Sequence, residues 1–210
     1  VLEAARICGV RRVVFASSSS VYGDLIDLPQ KEEKTGTRLS PYAITKLTGE
    51  DYCRFFGKTY GLETVSLRYF NVFGPKQDPN SQYAAVIPLF ALALLQNKQP
   101  TILGDGTQTR DFSFVKNVVS ANILAMTSKK AVGESINVAN GEGISVNDLF
   151  EKIRSFLNSD IKPVYAPERK GDVKHTKADV TRLKELLELK NAVSFDDGLR
   201  ETVEWYNANH

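Results

Sequence analysis

Short β-branched runs and helical stretches take turns along this chain, and that alternation limits its fold more than any other feature. Residues 12–16, Arg-Val-Val-Phe-Ala, form one such run and lead into four serines. Residues 63–70 form another, with Val65, Leu67 and Tyr69 on one face and Thr64, Ser66 and Arg68 on the other, the period-two pattern of a strand. Shorter strands are predicted over 101–103 and 134–138. Ser40-Pro41 reads as an N-cap with proline at the first helical position, opening a helix that runs to Tyr60 and stops at Gly61. Further helices are predicted over 84–96, 115–127, 146–157 (capped by Ser145), 180–187 and 195–208, with a loop over 71–83. Alternating elements of this kind place the chain in the α/β class.

The 210 residues are 42% hydrophobic, enough for one large domain or two small ones. Lys and Arg number 27 against 25 Asp and Glu. That balance leaves no basic footprint for nucleic acid and no polybasic signal for a membrane surface, so neither is expected as a partner. The longest apolar run, 84–95, contains Pro88 and is shorter than the roughly 20 residues of a spanning helix, so it reads as buried. Cys8 and Cys53 stand in no metal spacing. Each is expected to be a free buried thiol, with no metal site and no oxidising compartment. The first nine residues read as the end of an amphipathic helix stopped by Gly9, so the chain is expected to begin inside an element.

Chemistry is suggested first by Tyr42-Ala-Ile-Thr-Lys46. On a helix, positions i and i+4 share a face. A fixed ammonium favours the phenolate of a neighbouring tyrosine, which then serves as a general base. This spacing recurs by chance, and its context decides. Ser17 to Ser20 follow a predicted strand, where open α/β sheets place their ligands. Val21-Tyr22-Gly23 comes next, and Ser40-Pro41 directly precedes Tyr42. A serine cluster is otherwise most often a polar turn, and a lone Tyr–Lys pair a surface contact.

Taken together these residues resemble the extended short-chain dehydrogenases, which carry a Ser or Thr at a strand end, Val-Tyr-Gly, and Ser-Pro-Tyr-x-x-x-Lys. The resemblance extends to Leu67-Arg-Tyr-Phe-Asn-Val-Phe-Gly-Pro75, to Gly104-Asp-Gly-Thr-Gln-Thr-Arg-Asp-Phe112 and to Arg169-Lys-Gly-Asp172, in the family's order. It implies a doubly wound parallel, Rossmann-type sheet, here partial, with a smaller α/β substrate lobe. The NAD-binding domain would comprise 1–71 and 115–139, and the lobe 72–114 and 140–210. Tyr42 matches the catalytic base, Lys46 its partner on the nicotinamide ribose, and Ser18 the catalytic serine. Asn71, Arg110 and Arg169 match groups that bind a diphosphate, a task suited to arginine's planar fork. Asp172 matches a ribose contact. The implied cofactor is NAD, the implied partner a UDP-sugar, the assembly a homodimer through the Tyr42 helix, and the location cytoplasmic. Leu47, Tyr52, Phe55 and Phe56 could serve the dimer face or the core. The family's Gly-x-Gly-x-x-Gly turn, which holds the NAD pyrophosphate, does not occur among the 14 glycines. The resemblance therefore implies that about 100 residues, one βαβαβ half, precede Val1. Without them the chain is not expected to bind NAD.

Related 4,6-dehydratases carry Thr-Asp-Glu where this chain has Ser18, Ser19 and Ser20. With no carboxylate there to eliminate water, the resemblance favours 4-epimerisation of a UDP-hexose through a 4-keto intermediate. Gln77-Asp-Pro-Asn80 and Tyr83-Ala-Ala-Val-Ile-Pro88 resemble the substrate loop and uridine-facing helix of UDP-N-acetylglucosamine 4-epimerases. Thr176 matches a gatekeeper position, small in enzymes that accept N-acetylated sugars. Threonine also commonly opens a helix. Alternatives are a UDP-glucuronate 4-epimerase or decarboxylase, and a non-catalytic nucleotide-sugar-binding module.

Overall fold

A computed structural model describes residues 1–79, 86–168 and 173–210. In chain order the elements are α1 (Leu2–Ile7), β1 (Arg12–Ser18), a 3-10 turn over Ser19–Tyr22, α2 (Pro41–Tyr60), β2 (Glu63–Tyr69) and β3 (Val72–Phe73). There follow α3 (Val86–Leu95), β4 (Thr101–Leu103), β5 (Thr109–Arg110), β6 (Ser113–Phe114), α4 (Val115–Thr127) and β7 (Ser135–Val138). β8 (Ile144–Ser145), α5 (Val146–Phe156), β9 (Val164–Ala166), α6 (Thr181–Leu186) and α7 (Phe195–Asn209) complete the chain. The bounds of α2 and the start of α5 lie where the sequence puts them. Ser40 Oγ accepts the Ala43 N–H with Pro41 in the first turn, and Gly61, at φ +72°, ends α2. Ser145 Oγ caps α5 in the same way. Among the described residues, no helix is long and apolar enough to cross a membrane.

β1, β2 and β7 form a parallel sheet in the order β1-β2-β7. The alternation of β2 decides which helices cover it. Val65 and Leu67 pack against Val118, Ala121 and Ala125 of α4 and against Leu183 and Leu187 at α6. The opposite face meets α2, where Thr64 Oγ1 donates to the Cys53 carbonyl and Arg68 reaches Glu50. With helices on both faces the arrangement is doubly wound, as expected. A second cluster, rich in phenylalanine, joins Phe73, Phe90, Phe112, Phe114, Phe150 and Phe195 under α3, α5 and α7. Its rings meet edge-on or tilted, as Phe90 and Phe150 do at 5.7 Å and 89°. α6 packs on β7. The expectation of two buried thiols fails at Cys8, which is exposed because α1 buries none of its residues; Cys53 is buried.

The polar face of β2 is itself buried. Arg68 is 2% exposed and Glu50 0%. Arg68 donates to both Glu50 oxygens, Nε at 2.9 Å and Nη2 at 2.8 Å, and to the Tyr22 hydroxyl at 3.0 Å. Burial alone would raise the Glu50 carboxyl, but the hydrogen bonds and charge of Arg68, with Ser17 and Ser135, outweigh it and hold the carboxyl below its ordinary value. A depressed folded pKa means that this stabilisation is present at neutral pH and is lost as pH falls through the folded value. Replacing Arg68 by Met removes the buried partner of Glu50 and leaves its carboxylate, among the described residues, with only the half-exposed Arg54 as a cation, at 3.5 Å, and is expected to cost about 3 kcal/mol. Urea denaturation at pH 7 measures this. The double variant Arg68→Met/Glu50→Leu should recover part of the loss.

Candidate active site

Parallel pairing brings three strand ends to one edge of the sheet. Ser18, the last residue of β1, lies in register with Tyr69 of β2, and Tyr69 with Val138 of β7. Ser18 and the segments after β2 and β7, which carry Asn71 and Asn140, therefore lie together at the carboxyl edge, where open α/β sheets bind ligands.

At the first strand end, Ser18 is extended and half-buried, and its Oγ accepts the Ser20 N–H at 3.1 Å, capping the 3-10 turn. Ser20 Oγ is buried with no partner among the described residues. The turn closes on Gly23 at φ +56°, where an added Cβ would stand 1.8 Å from the Thr37 carbonyl oxygen. Tyr22 is fully buried, its hydroxyl donating to Asn137 Oδ1 at 2.6 Å, and burial pushes its pKa up to about 12. Such a phenol stays neutral and structural.

Tyr42 differs, being 55% exposed in the first turn of α2. Lys46, one turn on, donates from Nζ to the Ala16 carbonyl at 2.8 Å. The same Nζ lies 5.3 Å from the centre of the Tyr42 ring and 5.5 Å from that of Phe15. Tyr42 and Lys46 thus share a face, and that face is tied to β1 two residues before Ser18. On the rest of α2, Leu47 packs into the cluster of Val21, Tyr22 and Phe70, whereas Tyr52 and Phe55 are exposed.

Asn71, Arg110 and Thr176 meet around residue 111. Asn71, at φ +24°, donates from Nδ2 to the Asp111 carbonyl at 2.9 Å. Thr176 Oγ1 accepts the Asp111 N–H at 3.2 Å. Arg110 donates to the carbonyls of Thr109 at 2.9 Å and Lys174 at 3.2 Å. Thr176 lies in extended chain five residues before α6 begins at Thr181, which corrects the reading of it as a helix start. Its backbone N–H makes a strand-like bond to the Thr109 carbonyl at 3.1 Å, so backbone and hydroxyl both engage the 109–111 segment. Arg169 and Asp172 lie outside the described residues, as do Asn80 and 83–85 of the expected substrate loop and helix.

Asp111 itself went unremarked in the sequence. It is completely buried. Its carboxylate accepts the backbone N–H groups of Asn140 at 2.9 Å and of Gly141 and Ala178 at 3.0 Å. Burial pushes its pKa up to about 6 against the lowering effect of those donors. A raised folded pKa means that this group's contribution to stability falls as pH rises between about 4 and 6. One sequence signal pointed to it: an acid directly after Arg110 in an extended segment faces the side opposite to the arginine.

The profile described as "NAD dependent epimerase/dehydratase family" matches residues 1–139. The chain belongs to the NAD dependent epimerase/dehydratase family. This epimerase/dehydratase chain is 37% identical over 205 residues to a UDP-glucose 4-epimerase of Mycolicibacterium smegmatis, covering 97% of this chain and 65% of that protein. It superposes with a TM-score of 0.94, at 45% identity, on a UDP-N-acetylglucosamine 4-epimerase from Methanobrevibacter ruminantium M1 in complex with UDP-N-acetylmuramic acid, covering 99% of this chain and 66% of that one. A UDP-glucuronic acid 4-epimerase from Bacillus cereus in complex with UDP-glucuronic acid and NAD gives a TM-score of 0.89 at 31% identity, covering 100% of this chain and 65% of that one. The epimerase/dehydratase chain thus spans about two thirds of the length of these relatives.

Gly23 closes the 3-10 turn that follows Ser18. Gly23→Ala combines a positive φ with a backbone clash, and is expected to cost at least about 2 kcal/mol. Thermal unfolding against the parent chain checks it.

Proposed function

We propose that this chain carries the catalytic and substrate-binding parts of an NAD-dependent UDP-sugar 4-epimerase acting through a 4-keto intermediate, N-acetylated UDP-hexoses among its substrates. The observation that carries the reading is the Tyr42–Lys46 face held against the end of β1 by the bond from Lys46 to the Ala16 carbonyl, with Ser18 two residues on. In this reading Tyr42 accepts the proton of the sugar's C4 hydroxyl, and Ser18 hydrogen-bonds that oxygen and holds it in line. Lys46 holds the nicotinamide ribose. The fit is supported by the half-exposed Tyr42 and by the donors of the Lys46 ammonium, which has three N–H bonds and gives one to Ala16. NAD, when bound, supplies the oxidation and re-reduction of C4. The 4-keto sugar turns between the two transfers, so its C4 is reduced on the other face. Arg110, Arg169 and Asn71 would hold the diphosphate, and Asp172 a ribose.

The absence of carboxylates at Ser19 and Ser20 argues against dehydration. The chain divides, in this proposal, into a catalytic part (1–71 and 115–139) and a substrate lobe (72–114 and 140–210). Exposed Tyr52 and Phe55 on α2 support a homodimer through that helix. Two free cysteines accord with a cytoplasmic location.

Two measurements in the complete protein test this. Tyr42→Phe removes the ionisable oxygen and is expected to lower turnover of UDP-glucose by about 10²–10⁴ while leaving UDP-sugar binding intact; near-parental turnover would refute the assignment. Thr176→Tyr adds a ring in close-packed surroundings, which offer little slack. It is expected to abolish turnover of UDP-N-acetylglucosamine and UDP-N-acetylgalactosamine and to spare UDP-glucose and UDP-galactose. Equal activity on both pairs before and after the change would remove Thr176 from substrate selection.

A further inference from the structure

Four segments far apart in sequence converge on one residue. The side chain of Asp111 binds the backbone of Asn140, Gly141 and Ala178, and its own backbone binds the side chains of Asn71 and Thr176. Arg110 is its immediate neighbour and donates to Lys174. The end of β2, the β5–β6 link, the loop after β7 and the 174–178 segment are thus pinned at a single point. Every described residue that the proposed function assigns to the substrate beyond the catalytic serine, namely Asn71, Arg110 and Thr176, either touches residue 111 or adjoins it.

The chemistry of the knot requires a carboxylate. Three N–H donors point at one buried side chain, two at Oδ2 and one at Oδ1. An aliphatic residue would leave all three unpaired, at a desolvation cost for each. Asparagine offers one acceptor oxygen and one NH2 group, so at least one loop N–H would face another donor. Burial of an ionised carboxylate is nonetheless unfavourable, and the raised pKa of Asp111 means that its charged form lowers stability at neutral pH. A group held against stability at the junction of ligand-bearing segments is better accounted for by what it aligns than by what it stabilises.

We propose that Asp111 is a positioning residue of the substrate site: by clamping the loop after β7 and the 174–178 segment to the β5–β6 link, it sets the spacing of Asn71, Arg110 and Thr176 and so the affinity for the nucleotide diphosphate. The inference rests on the functional reading above, and it assigns Asp111 no contact with substrate.

The test is calorimetric titration of the complete protein with UDP, in the parent form and as Asp111→Asn, with steady-state kinetics on UDP-glucose alongside. The variant is expected to bind UDP at least tenfold more weakly and to show a KM raised by at least tenfold. Its kcat should stay within about threefold, because Ser18, Tyr42 and Lys46 belong to the other half of the site. Asp111→Glu, which keeps the carboxylate, should recover part of the UDP affinity. UDP binding equal to the parent's in Asp111→Asn overturns the proposal, and so does a fall in kcat at unchanged KM. Failure of the parent protein to bind UDP would instead overturn the functional reading itself. If Asp111→Asn does not fold, hydrogen exchange on the parent decides. UDP should slow the amides of Asn140, Gly141 and Ala178 more than those of Val65 and Leu67 in β2, and equal slowing in both sets overturns the proposal.

Discussion

The charge on Arg68 constrains this structure more than any other single group. A guanidinium cannot shed its proton, so a chain that buries one near the end of its central strand must surround it with oriented acceptors. Glu50 of α2 supplies two, the Tyr22 hydroxyl a third and the Glu32 carbonyl a fourth. The Arg68 guanidinium also lies 5.0 Å from the centre of the Tyr22 ring, within cation–π range. Glu50 in turn accepts hydroxyl hydrogens from Ser17 on β1 and Ser135 on β7. One buried ion pair thereby fixes α2, both neighbours of β2 and the turn that carries Tyr22. The Tyr42–Lys46 face and Ser18 inherit their relative placement from those same elements.

Long elements were legible in the sequence because their signals are local. The Ser40 cap, Pro41 and the Gly61 stop bound α2 without reference to the rest of the molecule, and the alternation of β2 named its two faces correctly. What alternation could not reveal is that the face of Thr64, Ser66 and Arg68 is buried too. Its partners are distant in sequence: Glu50 lies 18 residues from Arg68, and Asn137 lies 115 from Tyr22. The paired segments β3, β5, β6 and β8 hold two residues each, too few for any period to register. Candidate site residues were found through motif order. Asp111 escaped because its role lies in backbone groups supplied by other segments. Thr176 was read partly as a helix start for the same reason, since its strand-like partner, Thr109, is remote in the chain.

The buried Arg68–Glu50 pair and the buried Asp111 organise different groups of residues. Arg68 with Glu50 organises the strand end and helix that carry Ser18, Tyr42 and Lys46, while Asp111 gathers Asn71, Arg110 and Thr176. The two sets also differ in energetic character. Arg68 and Glu50 each raise the other's tendency to stay charged. Among the described residues, Asp111 has no cation among its hydrogen-bond partners and relies on neutral N–H dipoles, which offset burial only in part. Its carboxyl therefore titrates at about 6, where that of Glu50 is held low.

Both networks end on the same short piece of chain. From Arg68 the hydrogen bonds run through the Tyr22 hydroxyl to Asn137, whose amide donates to the carbonyls of Gln30 and Asp179. Gln30 closes on the same piece from its backbone, bonding the Lys177 carbonyl at 2.7 Å and the Asp179 N–H at 2.9 Å. Ala178, between them, gives its N–H to Asp111. Residues 177–179, which follow Thr176 directly, are thus held on one side by Asn137 and on the other by Asp111. A site assembled from strand ends and loops needs its parts fixed to within fractions of an ångström. Here that precision is met by buried polar groups bridging segments up to 115 residues apart, with little call on the apolar cores, whose packing tolerates hydrophobic exchange at conserved volume. Hydrogen bonds to charged groups tolerate no such exchange, so the geometry between Tyr42 and Thr176 is specified by the residues least free to vary in chemical type.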